Sequence, residues 1–255
     1  MKILKSFFPK ALNNTIIILI LRKSIDFRGA QESKHPKQRI LDSMNLETIN
    51  PYVMKILISA RDKDSISSIA KRINLSYGWT HKWVSELIKE GILKEKWKGV
   101  VLQENNKSYQ EILKFVRNNV SETGLYYSVL NLFGIEYCFT KTDAVYFWTE
   151  GRYNIARYRE YYPIFIKIKS EDYPRFKWYC EKLNLKINAK RGVFYAPEII
   201  ERFKFSKKGD SYIEPLDETI SFMKKNIYNF EPALEMIDEM YKKGLGIKYK
   251  ELNTL

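Results

Sequence analysis

The sequence SISSIAKRINLSYGWTHKWVSELIKEG, from Ser65 to Gly91, decides the fold of the N-terminal half of this chain. Apolar residues recur every three or four positions on both sides of a polar turn at residues 74–76, which is the spacing of two short amphipathic helices. Ser65 and Ser76 stand where each helix would need an N-terminal cap. Gly91 stands where the second helix would need a C-terminal cap. We therefore predict two helices joined by a tight turn.

A third helix precedes this stretch and a hairpin follows it. Asn50 and Pro51 suit the cap and the first position of a helix, and apolar residues continue from there at helical spacing. After Gly91, the segments 92–97 and 100–103 predict two short strands around Lys98-Gly99, although hairpin turns prefer Asn-Gly or Asp-Gly.

This order resembles that of the winged helix-turn-helix transcription regulators over about residues 50–104. The resemblance implies that the third helix enters the major groove of DNA and that its N-terminal part reads base edges. On that helix Trp83 is expected in the core, whereas Trp79 suits either the core or the surface. The candidate DNA-binding residues of its polar face are Ser76, Tyr77, Gly78, His81, Lys82 and Ser85. The candidate phosphate contacts of the hairpin are Lys94, Lys96 and Lys98.

The chemistry of these residue types supports the assignment. Ser76 and the first backbone N–H groups of the helix can hold a phosphate at the positive helix end. Gly78 lets the backbone approach the duplex, Lys82 can reach a guanine edge or a phosphate, and Tyr77 and His81 can donate hydrogen bonds. The alternatives are a solvated helix face used for protein contacts and a hairpin edge that lysines protect from aggregation.

Positive charge is concentrated in the N-terminal half. The chain has 44 Lys and Arg against 30 Asp and Glu, a net charge of +14. Residues 1–43 carry nine basic and three acidic side chains, residues 44–118 carry thirteen and eight, and residues 119–255 carry twenty-two and nineteen. Such a balance favours a polyanionic partner, and a generally lysine-rich surface is the alternative.

Cysteine and histidine are scarce. Cys138 and Cys180 form no CxxC pair, which indicates a reducing, cytoplasmic environment. His35 and His81 lie at no zinc-ligand spacing relative to them, so a Cys/His zinc site is not expected.

The pattern indicates no enzyme and no cofactor. Phosphate-binding glycine motifs and a GxSxG nucleophile motif are both missing from the sequence. An enzyme acting on nucleotides would need scattered carboxylates such as Asp143, Asp172 and Asp210 to converge around a metal ion.

The C-terminal half mixes helices and strands, which is typical of an α+β or α/β domain. Helices are predicted at residues 108–120, 125–133, 144–148, 172–184, 215–225 and from Pro232 to the glycine at 244. Strands are predicted at 135–140, 164–169, 185–188, 193–196 and 199–205. Residues 146–162 are rich in tyrosine and arginine, a composition that suits a core with a polar rim, a partner interface or stacking on nucleic acid.

This half also resembles the C-terminal domain of AbiEi-type proteins, in FTKTDAVYFW (139–148) and SYIEPLDETISFM (211–223). The resemblance implies an antitoxin and autorepressor that binds a protein partner. The chain lacks the Gly-Ser and Asp-x-Asp elements of an active nucleotidyltransferase, so it implies a scaffold.

Together these observations predict an α+β protein with an N-terminal winged helix-turn-helix and a mixed α/β C-terminal domain. Residues 44–120 would bind DNA through the winged helix and a connecting helix, and residues 121–255 would serve effector binding, dimerisation or partner binding. Residues 1–43 are predicted to be a disordered extension or to precede a true start at Met44. Their apolar run at 15–21 is too short to span a bilayer, and a membrane anchor is the rival interpretation. The predicted function is a dimeric, sequence-specific regulator that binds double-stranded DNA, and an AbiEi-like antitoxin is the alternative.

Overall fold

The computed structural model describes residues 51–118, 123–155, 157–158 and 160–249, so the predicted extension at 1–43 and its apolar run lie outside the described residues. Contacts between residues divide the described chain into two compact units. We call residues 51–118, 123–134 and 175–185 the helical unit, and the remaining described residues the sheet unit. Residues 123–134 thus group with the helices before them. Helices and strands occur together, which confirms the α+β class.

The helical unit begins with three helices and a two-stranded hairpin. Its elements are α1 (Pro51–Ser59), α2 (Ile66–Ile73), α3 (Tyr77–Lys89), β1 (Leu93–Lys96), β2 (Gly99–Leu102), α4 (Lys107–Asn118) and α5 (Thr123–Val129), followed by a 3-10 turn at Leu130–Leu132. Residues 175–183 of α7 (Tyr173–Leu183) complete the unit. The core consists of the apolar stripes that the helical spacing predicts.

The predicted caps of α2 and α3 are confirmed. The Ser65 hydroxyl accepts a hydrogen bond from the Ser68 backbone N–H at 3.1 Å. The Ser76 hydroxyl accepts one from the Trp79 backbone N–H at 3.4 Å. Between the two helices Asn74 adopts the left-handed conformation, with φ of 52°, which asparagine tolerates better than most residues. The turn therefore follows from local sequence.

The hairpin is joined to the loop before α2. β1 and β2 pair antiparallel, with Lys94 opposite Val101 and Lys96 opposite Gly99. The two residues of the turn are therefore Trp97 and Lys98, so the predicted turn at Lys98-Gly99 is wrong by one residue, because Gly99 is needed inside the second strand beside Asp64. Asp64 extends this pairing, because its backbone N–H donates to the Val100 carbonyl at 3.0 Å and its carbonyl accepts from the Val100 N–H at 2.7 Å. A Cβ atom at Gly99 would lie 2.5 Å from the Asp64 carbonyl oxygen. Glycine is thus required there by the close approach of two backbones.

A buried ion pair fixes the same loop. Arg72 of α2 donates from both terminal nitrogens to the two carboxylate oxygens of Asp64, each at 2.8 Å. The Arg61 backbone N–H also donates to this carboxylate at 2.9 Å, and Arg72 donates to the Ser59 carbonyl at 2.7 Å. Both charged side chains are almost fully buried. The bidentate geometry satisfies the charges where water cannot.

The C-terminus of α1 is capped by side chains from α7. The Lys182 ammonium donates to the carbonyls of Leu57, Ile58 and Ala60 at 2.9 to 3.1 Å. The Tyr179 hydroxyl donates to the Ser59 carbonyl at 2.6 Å. These carbonyls would otherwise lack partners at the helix end, and a cation there also suits the negative end of the helix dipole.

The sheet unit contains one mixed five-stranded sheet, in the order β5-β4-β3-β7-β6. Its elements are β3 (Tyr137–Phe139), α6 (Lys141–Trp148), β4 (Tyr161–Lys169), a 3-10 turn at Ser170–Asp172, β5 (Gly192–Ile200), β6 (Ser206–Lys208), β7 (Ser211–Ile213), α8 (Leu216–Lys225) and α9 (Ile227–Tyr241). β3 runs antiparallel to β4 and parallel to β7, β4 runs parallel to β5, and β6 runs antiparallel to β7. The three helices α6, α8 and α9 share one buried cluster that includes Val145, Met223 and Leu234.

Two predicted strands of the sheet unit are wrong. Residues 185–188 make only an isolated bridge, from Ile187 to Tyr195, because Asn184 and Asn188 on either side have positive φ angles that interrupt an extended chain. Residues 199–205 are not one strand either. Ile199 and Ile200 end β5 where its partner β4 also ends, and β6 begins only at residue 206.

The predicted start of the last helix at Pro232 is also wrong. Helix α9 begins at Ile227, and Pro232 lies inside it. Phe230 is buried together with Ala233, Leu234 and Ile237, so the apolar stripe of the helix extends to the N-terminal side of the proline. Burial of this stripe outweighs the one backbone hydrogen bond that the proline removes.

We predict that Arg72→Met lowers the free energy of unfolding by about 3–5 kcal/mol, because it leaves the Asp64 carboxylate buried without its cation. Urea unfolding measures the loss, and hydrogen exchange should show faster exchange of the Val100 amide. The matched control is Lys71→Met, at the exposed neighbouring position. Equal effects of the two substitutions would contradict the prediction.

Lys182 should make stability depend on pH. Burial lowers the pKa of its ammonium from 10.5 to about 7. Between these values the unfolded chain binds more protons than the folded one, so stability should rise with pH across this window, by at most about 1.4 kcal/mol per pH unit. In Lys182→Met this rise should be missing.

Urea unfolding of both proteins from pH 6 to pH 10 measures this difference. Lys177→Met, at an exposed position of the same helix, is the control and should retain the wild-type pH dependence. Parallel stability curves for the wild type and Lys182→Met would show that Lys182 does not titrate in this range.

Candidate nucleic-acid interface

Helix α3 is anchored by one face and exposes the other. Its buried face consists of Thr80, Trp83, Val84 and Leu87, which agrees with the predicted core position of Trp83. The exposed residues of its first two turns are Tyr77, Gly78, Trp79, His81 and Lys82. The helical period therefore brings five of the candidate or neighbouring positions to the surface on a firmly packed helix.

The start of α3 is free of acidic side chains. The Ser76 hydroxyl already serves as the helix cap through the Trp79 N–H, and its own O–H can still donate outwards. An open groove between α2 and α3 borders it, lined in part by Ser67, Lys71 and Tyr77. Backbone N–H groups, hydroxyls and one ammonium in this position suit a bound phosphate.

Lys82 lies against two indole rings. Its ammonium nitrogen is 5.2 Å from the ring centre of Trp79 and 5.2 Å from that of Trp83. Trp79 is itself half exposed and is 5.8 Å from the ring of Tyr52. Cation–π contacts at exposed sites contribute about 0.5–1 kcal/mol each. Lys82 therefore has a preferred resting position, which it must leave to reach a base edge.

The remaining α3 candidates differ in access. The rings of Tyr77 and His81 are 5.9 Å apart and both residues are exposed. A Cβ atom at Gly78 would meet no atom within 4 Å, so the surface above this glycine is open. Ser85 is only half exposed, one turn further along the helix. The first two turns are therefore the accessible part of the candidate surface.

The hairpin adds a second exposed basic segment. Lys94, Lys96 and Lys98 are all exposed. Trp97 at the tip is 87% exposed, and the Lys98 ammonium lies 4.1 Å from its ring centre. Glu95 is the one acidic residue of the two strands and the turn between them. We call the exposed residues of α3 and of the hairpin tip together the α3–hairpin surface; it comprises Ser76, Tyr77, Gly78, Trp79, His81, Lys82, Lys94, Lys96, Trp97 and Lys98.

Acidic residues of α3 lie at its other end. Glu86 pairs with Lys89 at 2.8 Å, and Glu90 follows the helix as its C-terminal cap. The positive end of the helix dipole and the ammonium of Lys82 thus both lie in the N-terminal half of α3. This distribution favours an anionic ligand at the start of α3 over its end.

The tyrosine- and arginine-rich tract of the sheet unit contributes mainly to structure. Arg157 pairs with Asp143 at 2.6 Å in a fully buried ion pair, and its guanidinium lies 4.8 Å from the ring centre of Tyr162. The Asp143 carboxylate also accepts a hydrogen bond from the Phe165 backbone N–H at 2.7 Å. Tyr158 remains exposed. Part of this tract therefore packs against the core of the unit, where Trp148 and Tyr153 are half-buried.

The candidate metal carboxylates do not converge. Asp143 is engaged with Arg157, and Asp172 accepts a hydrogen bond from the Glu136 backbone N–H at 2.8 Å. Within residues 51–249, as far as the structure describes them, no group of Asp, Glu, His and Cys side chains including Asp210 could hold a metal ion. In the same described residues, no helix is long and apolar enough to cross a membrane.

Sequence reasoning left two aromatic residues out of the candidate site, Trp79 and Trp97. Both are large apolar residues that the structure exposes beside a lysine. Trp97 was expected at the end of a strand, and only the observed register of the hairpin places it in the turn. For Trp79 the position on the boundary between the two helix faces left burial undecided.

The cap role of Ser76 can be separated from any ligand role. Ser76→Ala should lower the free energy of unfolding by about 1 kcal/mol, whereas Ser76→Asn and Ser76→Asp should restore it because both residues cap helices well. Urea unfolding measures all three. Ser67→Ala, at an exposed position of α2 outside the cap, is the control. A full loss with Ser76→Asn would contradict the cap assignment.

Comparison with known proteins gives no further assignment: the chain matches no protein-family model, no curated protein and no solved structure.

Proposed function

We propose that this protein is a sequence-specific regulator of the winged-helix type that binds double-stranded DNA through the α3–hairpin surface. The single observation that carries the proposal is the exposure of basic and aromatic side chains on both α3 and the hairpin. The two elements are joined directly, because the Ile92 backbone N–H donates to the Leu87 carbonyl of α3 at 2.9 Å. The backbone of Asp64 joins the hairpin to the loop between α1 and α2, and its carboxylate joins that loop to Arg72 of α2. A helix and a hairpin held in this way can contact adjacent parts of a duplex without reordering.

The contacts divide into two kinds. Backbone N–H groups at the start of α3, Ser76 and the hairpin lysines suit phosphates, which position a protein without reading sequence. Tyr77, His81 and Lys82 suit base edges in the major groove, because they can donate to guanine and adenine acceptors. Lys82 is the principal candidate, since a good base contact contributes about 1–3 kcal/mol and can offset the about 1–2 kcal/mol of the two indole contacts that it leaves.

Selection of fragments tests the proposal directly. The full-length protein is mixed with sheared genomic DNA of its source, bound fragments are sequenced, and the affinity of an enriched fragment is measured against salt concentration. Enrichment of a common sequence and a steep fall of affinity with salt are expected. Binding that is undetectable, or that does not depend on salt, would refute the proposal.

Variants should separate base contacts from phosphate contacts. Lys82→Ala should cost about 1–3 kcal/mol on the enriched fragment and relax its sequence preference, whereas each of Lys94→Ala, Lys96→Ala and Lys98→Ala should reduce the salt slope by about one. Ser76→Asp should weaken binding while keeping the cap, because it places a negative charge beside the phosphate. Lys114→Ala, at an exposed position of α4, is the control and should leave the slope unchanged.

An AbiEi-like autorepressor would use the same surface on its own promoter. Copurification of one stoichiometric second protein would favour that form of the proposal over a lone regulator. The DNA-binding step and its test are the same in both cases.

A further inference from the structure

Trp97 lies in the turn of the hairpin, and most of its side chain is in contact with solvent. It is 87% exposed, whereas Trp83 on α3 is 9% exposed. Its described ring contact is the exposed ammonium of Lys98. A large apolar side chain that remains in water at a loop tip is typical of a contact residue.

The turn that carries Trp97 is not the one that would fold best. Lys98 has a φ of 63°, in the left-handed region. Asn-Gly or Gly at such positions would avoid this strain. The turn that presents Trp97 and Lys98 is therefore less stable than the same turn with a glycine at position 98.

The backbone next to the turn is held in place by close packing and hydrogen bonds. Next to the turn, Gly99 packs against the Asp64 carbonyl, and Val100 exchanges both backbone hydrogen bonds with Asp64. Asp64 is in turn held by Arg72. The ring of Trp97 is therefore offered on a pre-organised support, so little entropy is lost when it binds.

The surroundings of the ring define the partner. Lys94 and Lys96 lie two residues apart and therefore on the same face of β1. The Lys98 ammonium lies beside the Trp97 ring. A flat apolar surface beside one ammonium group, on a hairpin that carries two further exposed lysines, matches a nucleobase with its adjacent phosphates. In an intact duplex both faces of each base are covered by stacking, so such a ring finds a free face only where a base is unpaired or a step is opened.

We propose that Trp97 stacks on an unpaired or unstacked base beside the duplex that α3 contacts, so that the preferred ligand is duplex DNA interrupted by unpaired bases. This inference rests on the proposed function. Base–aromatic stacking increases affinity by a factor of about 5–150 per base, so a preference of about tenfold is expected.

The experiment compares two probes with the full-length protein. One is a fully paired duplex of the enriched sequence, and the other is the same duplex with a two-base mismatch bubble that contains 2-aminopurine. The wild type should bind the bubble about tenfold more tightly and change its 2-aminopurine fluorescence. Trp97→Ala should bind both probes alike without the fluorescence change, and Trp97→Phe should retain part of the preference.

Two controls separate stacking from other effects. Tyr228→Ala removes an aromatic residue that is 96% exposed in α9 and should not alter the preference. Lys98→Gly relieves the turn and removes the ammonium, and should keep the preference while reducing the salt slope.

The outcomes distinguish the inference from the proposed function. Equal, salt-dependent binding of both probes by the wild type would overturn the inference and leave the proposed function standing. A loss of affinity in Trp97→Ala that is equal for both probes would make Trp97 an ordinary groove contact and also overturn it. Loss of only a copurifying protein in Trp97→Ala would reassign Trp97 to a protein interface. Absence of salt-dependent binding to either probe would refute the proposed function itself.

Discussion

The Asp64–Arg72 ion pair is the interaction on which the helical unit depends. Its two hydrogen bonds of 2.8 Å leave little charge unsatisfied in a site that excludes water. Through the Asp64 backbone it reaches Val100 of the hairpin, and through Arg72 it reaches the Ser59 carbonyl at the end of α1. One buried pair therefore determines how α1, α2 and the hairpin are placed. Neither an apolar contact nor an exposed pair would impose the same geometry, because neither is directional to this degree.

A second constraint comes from much later in the chain. Tyr179 lies 120 residues beyond Ser59, whose carbonyl it binds, and Lys182 holds three further carbonyls of the same helix end. Arg61 continues this network, since its side chain donates to the Tyr179 hydroxyl at 3.0 Å and to the Phe133 carbonyl. The helical unit is thus completed by a segment that follows part of the sheet unit in sequence. Because these contacts are non-local, the C-terminus of α1 is fully capped only after α7 has packed against it.

The α3–hairpin surface presents exposed tryptophan and lysine residues on a backbone that buried contacts hold in place. The buried face of α3 and the Asp64 network hold the backbone, whereas Trp79, Lys82, Trp97 and Lys98 face solvent. If stability of the fold were the only requirement, this surface would carry fewer exposed aromatic residues and the turn would have the sequence Asn-Gly. The proposed binding of nucleic acid supplies a reason for each departure, since ammonium groups attract phosphates and exposed rings stack on bases.

Sequence by itself determined what depends on neighbours along the chain. The caps Ser65 and Ser76, the turn at Asn74 and the buried stripe of α3 all follow from periodicity and local hydrogen bonding. Tertiary structure decided the remainder, because its causes lie between residues that are distant in sequence. Such causes include the ion pair of Asp64 with Arg72, the capping of α1 by Lys182 and the extension of α9 past Pro232 for the burial of Phe230. The exposure of Trp79 was of the same kind, since a residue on the boundary of a helix face is buried or exposed according to what packs beside it.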